Sequence, residues 1–92
     1  DVPETHVTPE IRVPCPDDEK FSVVESVKRS FAKSHDVVTV DGARILFGEG
    51  AWGLVRASNT QPVLVLRFEA KDAATLASIR AQVEAVVEAA RP

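Results

Sequence analysis

The 92-residue sequence has a single cysteine, Cys15, and few aromatic side chains, namely Trp52 and four phenylalanines. One cysteine excludes both an internal disulfide and a zinc site built from several thiolates of this chain. The net charge is −3, from 14 acidic and 11 basic residues. We therefore expect no nucleic-acid partner, because such partners require a basic surface and aromatic side chains that stack on bases.

Long hydrophobic runs are absent as well. No apolar stretch approaches the roughly 20 residues of a membrane helix, and the first residues lack the basic and apolar regions of a signal peptide. We therefore expect no membrane partner and predict a cytoplasmic location. With 45% hydrophobic and 27% charged residues, the composition is that of one globular domain. Because the sequence starts at Asp1 and not at methionine, we also expect it to be a piece of a longer protein.

The pattern of apolar residues predicts an α+β fold. We expect a mainly antiparallel sheet of about four to five strands with two helices packed on one face. Residues 1–8 show no periodicity and are predicted to be an interdomain linker or hinge, while residues 9–92 form the domain and open with a short edge strand at 9–13. A helix capped by an aspartate is expected at residues 18–33. Its apolar stripe is Phe21, Val24, Val27 and Phe31.

The second half of the chain contains the remaining strands and the second helix. Asp41-Gly42 is typical of a two-residue type I′ turn and predicts a hairpin over residues 37–47. Strands are expected at 51–57 and 63–68, and the second of them is nearly all apolar, which is typical of a central strand. Asp72 is placed to cap the last helix. The apolar residues of that helix are Leu76, Ile79, Val83 and Val86 or Val87.

The loop between the last two strands carries the residues that point to a function. Arg56, Ser58, Asn59 and Thr60 lie within five residues of one another. An arginine offers a planar pair of N–H donors that matches two phosphate oxygens, and hydroxyl, amide and turn N–H groups bind further oxygens. The same residue types are also typical of an ordinary turn between strands. By themselves they leave an anion site and a plain turn both open.

A longer stretch makes the sequence similar to a known family. The resemblance rests mainly on residues 52–70, which read WGLVRASNTQPVLVLRFEA. They resemble the C-terminal domain (domain 4) of the α-D-phosphohexomutases, most of all the phosphomannomutase/phosphoglucomutase group. Three further stretches stand in the family's order: TPEI at 8–11, the helical segment 20–31 and VDGAR at 40–44. Many relatives have Glu and Arg where this chain has Gln61 and Val65, so the preferred sugar (mannose, glucose or aminosugar phosphate) stays open.

The resemblance implies both a fold and a function. The family's last domain has a TATA-binding-protein-like fold, and the enzymes interconvert mannose or glucose 1-phosphate and 6-phosphate through a hexose 1,6-bisphosphate, as intramolecular phosphotransferases of the isomerase class. Their phosphoserine and Mg²⁺ belong to other domains, so no catalytic or metal-binding residue is expected here. The implied role of this chain is to bind the phosphate that is not transferred, through Arg56, Ser58, Asn59 and Thr60, and to help close the cleft against the other domains.

A competing interpretation is a non-catalytic module that binds a protein or an unrelated phosphorylated ligand on its exposed sheet face. Histidine is a common acid–base catalyst, but His6 and His35 have no catalytic partner in the sequence, and His35 is expected to hydrogen-bond or to cap a helix end. Cys15 is expected to be a partly buried thiol. Trp52 is expected on the same strand face as Arg56, where the arginine stem can pack on its ring.

Overall fold

The computed structural model describes residues 6–39, 42–48 and 50–91. Its elements are, in chain order, β1 (His6–Val7), β2 (Ile11–Pro14), α1 (Lys20–Ala32), β3 (Asp36–Val38), β4 (Ala43–Gly48), β5 (Ala51–Ala57), β6 (Val63–Ala70) and α2 (Ala73–Ala90). The strands form one antiparallel sheet, and both helices pack on the same face of it. This confirms the predicted α+β fold. Neither helix, within the part of the chain described, is long and apolar enough to cross a membrane.

The strand order across the sheet is β1-β6-β5-β4-β3, and β2 also pairs with β6. Strand β6 therefore has partners along both of its edges, which confirms the prediction of a central strand. Strands β3 to β6 form an antiparallel meander, in which each strand pairs with the next one in the chain. The described sheet has six strands, one more than expected, because the N-terminal segment pairs with β6 twice, as β1 and as β2.

Residues 6–7 of the segment predicted as a linker form a strand of the sheet. Strand β1 pairs with the end of β6, and Thr8, which follows it, is buried. The Thr8 N–H donates to the Phe68 carbonyl at 3.0 Å, and the Thr8 hydroxyl accepts from the Phe68 N–H at 3.0 Å. These bonds attach the N-terminal segment to the middle of the core. Residues 1–5 of the predicted linker lie outside the described residues.

The core lies between the two helices and one face of the sheet. Helix α2 buries the stripe predicted for it, with Leu76 and Val86 packed at its margin. The large buried side chains come from the sheet and from both helices: Ile45, Val55, Leu64, Leu66 and Phe68 from the sheet, Val23, Val27 and Phe31 from α1, and Ile79, Val83 and Val87 from α2. The side of the sheet away from the helices is thus left for other contacts.

Helix α1 is rotated about its axis relative to the prediction. Its buried residues are Lys20, Val23, Val27 and Phe31, whereas Phe21 is 59% exposed. The prediction buried Phe21 in the first turn of the helix because it is apolar. In the structure Lys20 is the buried residue of that turn, since its alkyl stem packs inward while its ammonium group is hydrogen-bonded.

The predicted aspartate cap is correct for α2 and wrong for α1. The N-cap residue of α1 is Glu19, which makes no side-chain capping bond, and Asp17 instead accepts a hydrogen bond from Lys20. At α2, Asp72 accepts from the backbone N–H of Thr75 at 2.7 Å. This hydrogen bond lowers the pKa of the Asp72 carboxyl below its ordinary value, because it stabilises the charged form.

We expect Asp72→Ala to lower the free energy of unfolding at neutral pH. A depressed folded-state pKa means that the capping bond contributes fully above the pKa of the unfolded chain and is lost as the pH falls through the folded-state pKa. The deficit of the variant should therefore shrink from neutral to acidic pH in urea unfolding. Asp18→Ala, which removes another exposed aspartate, is the control. A deficit that stays the same at every pH would contradict the role of the carboxylate.

The predicted hairpin forms between β3 and β4, but in a different register. Its turn, predicted at Asp41-Gly42, lies partly outside the described residues. A two-residue turn there would place Val38 opposite Ile45, whereas the structure places Val38 opposite Arg44 and Val37 opposite Ile45. Because side chains alternate along a strand, this shift of one residue points Val37 toward the helices. Val38 is 43% exposed on the other side of the sheet.

Candidate functional site

Strand alternation places two arginines together on the sheet face that the helices leave free. In β5, Ala51, Gly53 and Val55 are buried beneath the helices; we call the opposite side of the sheet, which carries Trp52, Leu54 and Arg56, the open face. Arg12 of β2 and Arg56 of β5 both stand opposite Val65 of β6. The two arginines therefore share the open face in one row across three strands, with the almost fully buried Val65 between them.

The loop that follows β5 takes its shape from Ser58. The Ser58 hydroxyl oxygen accepts hydrogen bonds from the backbone N–H groups of Thr60 and Gln61, at 3.3 and 3.2 Å. Its own N–H donates to the Val63 carbonyl at 3.1 Å. The loop is thus a self-bonded turn, one of the two alternatives that the sequence leaves open. A hydroxyl has two acceptor positions and one proton, so Ser58 still has its proton to donate to an anion.

Two hydrogen bonds from the N-terminal part of the chain hold this loop in place. Lys20 Nζ donates to the Gln61 carbonyl at 3.1 Å and to Asp17 Oδ1 at 2.8 Å, and the Cys15 N–H donates to the Pro62 carbonyl at 2.8 Å. Lys20 is only 4% exposed, and these acceptors supply the hydrogen bonds that its buried ammonium group would otherwise make to water. Nothing in the sequence marks Lys20 for this role, because its loop partner lies 41 residues further along the chain.

We expect Lys20→Met to reduce the free energy of unfolding by about 2 kcal/mol, because a hydrogen bond to a charged group contributes roughly 1.5–3 kcal/mol and methionine keeps most of the apolar stem. The loop amide resonances should shift too, since the Gln61 carbonyl loses its donor. Urea unfolding and NMR measure the two effects. Lys28→Met, which breaks the surface pair with Glu25, is the control and should cost less than about 0.5 kcal/mol. Equal effects of the two substitutions would contradict the anchoring role.

A depression of about 370 Å³ brings the loop and both arginines together. We call it the anion cavity. All four residues that the sequence predicts as site residues line it: Arg56, Ser58, Asn59 and Thr60. The remaining lining residues are Glu10, Arg12, Gln61, Val63 and Val65. The structure therefore assembles the predicted residues around one polar space, and adds charged side chains from the N-terminal part of the chain.

The sequence pattern does not indicate Glu10 and Arg12 as site residues. Glu10 Oε1 lies 3.9 Å from Arg56 Nη2, and Glu10 Oε2 lies 4.0 Å from Arg12 Nη2. One carboxylate thus stands between two guanidinium groups, at distances longer than a hydrogen bond. The alternation of Arg12 with Ile11 and Val13 predicts that it points away from the core, but only the pairing of β2 with β6 places it beside Arg56.

A larger groove of about 600 Å³ adjoins the anion cavity. The two share Arg56 and Asn59. The rest of the groove is lined by Phe21, Val24, Glu25, Lys28, Thr39, Gly42 and Ala57. Gly42 packs directly on the arginine, since a Cβ atom at Gly42 would lie 2.7 Å from Arg56 Cβ. Arg56 is therefore bordered by both spaces, and its backbone is covered by the end of the β3–β4 hairpin.

The other residues considered from the sequence have structural roles. Trp52 is on the open face, as expected. The arginine that stacks on its ring is Arg44 and not Arg56, and the Arg44 guanidinium carbon lies 4.7 Å from the ring centre. His35 packs its ring against Phe47 at a centroid distance of 4.8 Å, and its Nδ1 lies 2.7 Å from the hydroxyl of the preceding serine. This confirms the expectation that His35 forms a hydrogen bond.

Neither a reactive thiol nor a metal site is found in the part of the chain that the structure describes. Cys15 is 2% exposed, more buried than expected, and this burial raises the pKa of its thiol. Among residues 6–39, 42–48 and 50–91, no three His, Cys, Asp or Glu side chains come close enough to hold a metal ion. These residues do not fit the Mg²⁺ that the resemblance implies for the whole enzyme, and its assignment to another domain stays a prediction.

An antiparallel sheet with two helices on one face and a polar cavity lined by two arginines beside its central strands defines a small α+β domain. The family profile described as phosphoglucomutase/phosphomannomutase, C-terminal domain, matches residues 10–86. The chain therefore belongs to the C-terminal domains of the phosphoglucomutase/phosphomannomutase family. This confirms the resemblance stated from the sequence.

Individual relatives agree with the family match. The chain is 47% identical over 74 residues to the phosphomannomutase/phosphoglucomutase of Pseudomonas putida, an alignment that covers 79% of this chain and 16% of the relative. For the Pseudomonas aeruginosa protein of the same name, identity is 50% over 64 residues, with coverage of 68% and 14%. A solved phosphoglucomutase/phosphomannomutase family protein from Burkholderia thailandensis has a TM-score of 0.77 at 34% identity, covering 98% of this chain and 19% of that one. The chain thus spans less than a fifth of the length of each of these proteins.

Proposed function

We propose that this chain is the substrate-phosphate-binding domain of a phosphohexose mutase, which interconverts hexose 1-phosphate and hexose 6-phosphate through a hexose 1,6-bisphosphate. Support comes from the names of its relatives, phosphomannomutase/phosphoglucomutase, of which it spans a small part. In this proposal the phosphoserine and the Mg²⁺ belong to other domains, the enzyme is cytoplasmic, and the substrates are mannose or glucose phosphates. This chain binds the phosphate that is not transferred and contributes to closure of the cleft.

The observation that carries the proposal is the composition of the anion cavity. The Arg56 guanidinium provides two parallel N–H donors for phosphate oxygens. The Ser58 hydroxyl, whose acceptor positions are used within the turn, provides an O–H donor, and Asn59 and Thr60 add an amide and a second hydroxyl. A phosphate accepts several hydrogen bonds on three oxygens, and this set offers those oxygens one positive charge and several side-chain donors.

A phosphate clamp suits a mutase because the same sugar must react from either end. The clamp recognises the phosphate oxygens, which are the same on either end of the sugar, and so it accepts both orientations. Holding one phosphate places the opposite hydroxyl at a defined distance from the catalytic centre in the other domains. The binding energy of the clamped phosphate is also available to close the cleft.

The proposal is tested by ¹⁵N chemical-shift titration of the chain with mannose 1-phosphate, glucose 6-phosphate and inorganic phosphate. We expect saturable shifts of the amides of residues 56–61 with all three ligands, since the phosphate is the group recognised. Unphosphorylated mannose and glucose are the controls and should shift none of these amides. Saturation by one sugar phosphate with no response to the others would contradict an orientation-independent clamp, and the absence of any saturable shift would contradict the site.

The competing function is a non-catalytic module that binds a protein on the open face. Val38 and Leu46 favour it, because both lie on that face and are 43% and 37% exposed. The two functions are separated by a chimera, in which this chain replaces the corresponding domain of the Pseudomonas aeruginosa relative. A clamp domain restores mutase activity with hexose phosphates, whereas an unrelated module leaves the chimera inactive even where it folds.

A further inference from the structure

We propose that Arg12 is a second phosphate-binding residue of the anion cavity, and that Glu10 is an internal carboxylate that the phosphate displaces. The inference rests on the proposed function and deepens it. It adds a binding residue outside the loop and a competing anion that belongs to the protein itself.

The sheet register is the first step. Arg12 and Arg56 lie on β2 and β5, and each stands directly opposite Val65 of the intervening β6. With neighbouring strands about 4.8 Å apart, the Cα atoms of the two arginines are about 10 Å apart on the same face. Both side chains line the anion cavity. Their charged ends are thus directed into one space from opposite sides of Val65.

The position of Glu10 shows that one anionic group reaches both guanidinium groups. Its two carboxylate oxygens lie 3.9 Å from Arg56 Nη2 and 4.0 Å from Arg12 Nη2. Both contacts are longer than hydrogen bonds, which for N–H donors are about 2.7–3.2 Å. The side chains are also partly exposed, at 62% for Arg12, 45% for Glu10 and 39% for Arg56. Glu10 is therefore held loosely, by ion pairs that solvent screens.

A phosphate monoester makes these contacts better than the carboxylate does. It carries up to two negative charges and has three oxygens, so it can take a bidentate contact from one arginine and still accept from the other. Phosphate and carboxylate repel each other, so a bound phosphate requires Glu10 to move away from the arginines. It follows that Arg12 strengthens phosphate binding while Glu10 weakens it.

The opposite signs of these effects provide the test. In ¹⁵N titrations of the 92-residue chain with inorganic phosphate, we expect Arg12→Gln to raise the Kd about tenfold, the loss of a charge-assisted contact. Glu10→Gln should lower the Kd about threefold, because the competing ion pair is removed. The Nε–H signals of Arg12 and Arg56 should both shift in the wild type. Arg80→Gln removes an exposed arginine of helix α2, on the other side of the sheet from the cavity, and should change the Kd less than about twofold.

The outcomes separate this inference from the proposed function. If Arg56→Ala abolishes phosphate binding while Arg12→Gln leaves the Kd unchanged, the role of Arg12 is overturned and the clamp stands. If Arg56→Ala also has no effect, the proposed function itself fails. Weaker binding by Glu10→Gln would show that Glu10 orients the arginines and does not compete, which overturns that half of the inference. Unchanged amide spectra outside the cavity confirm that each variant folds.

Discussion

The proposed function predicts that replacing Arg56 by alanine in the full-length enzyme lowers kcat/KM for hexose phosphates about 100-fold, mainly through a higher KM. Arg56 is the charged residue that lines both the anion cavity and the adjoining groove. A bidentate, charge-assisted contact is worth about 3 kcal/mol, and each 1.4 kcal/mol changes a rate or binding constant about tenfold. In the proposed function the bound phosphate is not the reacting one, so most of the loss should be in binding.

Two variants make this prediction specific. Arg56→Lys keeps the positive charge but loses the planar pair of donors, so it should recover only part of the activity. Arg44→Ala removes an arginine that stacks on Trp52 outside the cavity, and it should leave KM nearly unchanged. Steady-state kinetics with glucose 6-phosphate and mannose 1-phosphate measure all three. Normal kinetics for Arg56→Ala would remove this residue from the site.

Gly42→Ala is expected to have the largest effect on stability, a loss of about 3 kcal/mol or more. Gly42 has a φ of 133°, which side-chain-bearing residues rarely adopt. Its added Cβ would lie 2.5 Å from the Val55 carbonyl oxygen and 2.7 Å from Arg56 Cβ. Neither neighbour can rotate away, because both contacts are with atoms on or next to the backbone of β5. The turn or the end of β5 must therefore move, and Arg56 must move with it.

Gly48→Ala separates conformational strain from steric contact. Gly48 also has a positive φ, of 95°, but a Cβ atom there meets nothing within 4 Å. Gly48→Ala should lower the free energy of unfolding by only about 1 kcal/mol, the cost of the backbone strain alone. Urea unfolding measures stability, and phosphate titration measures the site, where Gly42→Ala should weaken binding and Gly48→Ala should not. Equal losses in the two variants, or normal phosphate affinity in Gly42→Ala, would contradict the view that Gly42 positions Arg56.

Sequence reasoning predicted well the elements whose signals are local. Strand β5 has the predicted bounds and β6 extends the predicted strand by two residues, and Asp72 caps α2 through the N–H three residues later. The rotation of α1 was not predictable in this way. Phe21 and Lys20 are adjacent, so both are compatible with helical periodicity. The choice between them depends on the Gln61 carbonyl, which only the folded chain brings to the lysine.

The candidate site likewise combines residues that local sequence predicts with residues that only strand pairing brings in. Arg56, Ser58, Asn59 and Thr60 are close in the chain, and a turn between two strands keeps them together, so the sequence by itself determined this half of the anion cavity. Arg12 and Glu10 come from the N-terminal segment. They reach the cavity because β2 pairs with β6, and a strand's own residues do not specify which edge it joins or in which register. That pairing, and with it the second guanidinium and its carboxylate, was decided only by the tertiary structure.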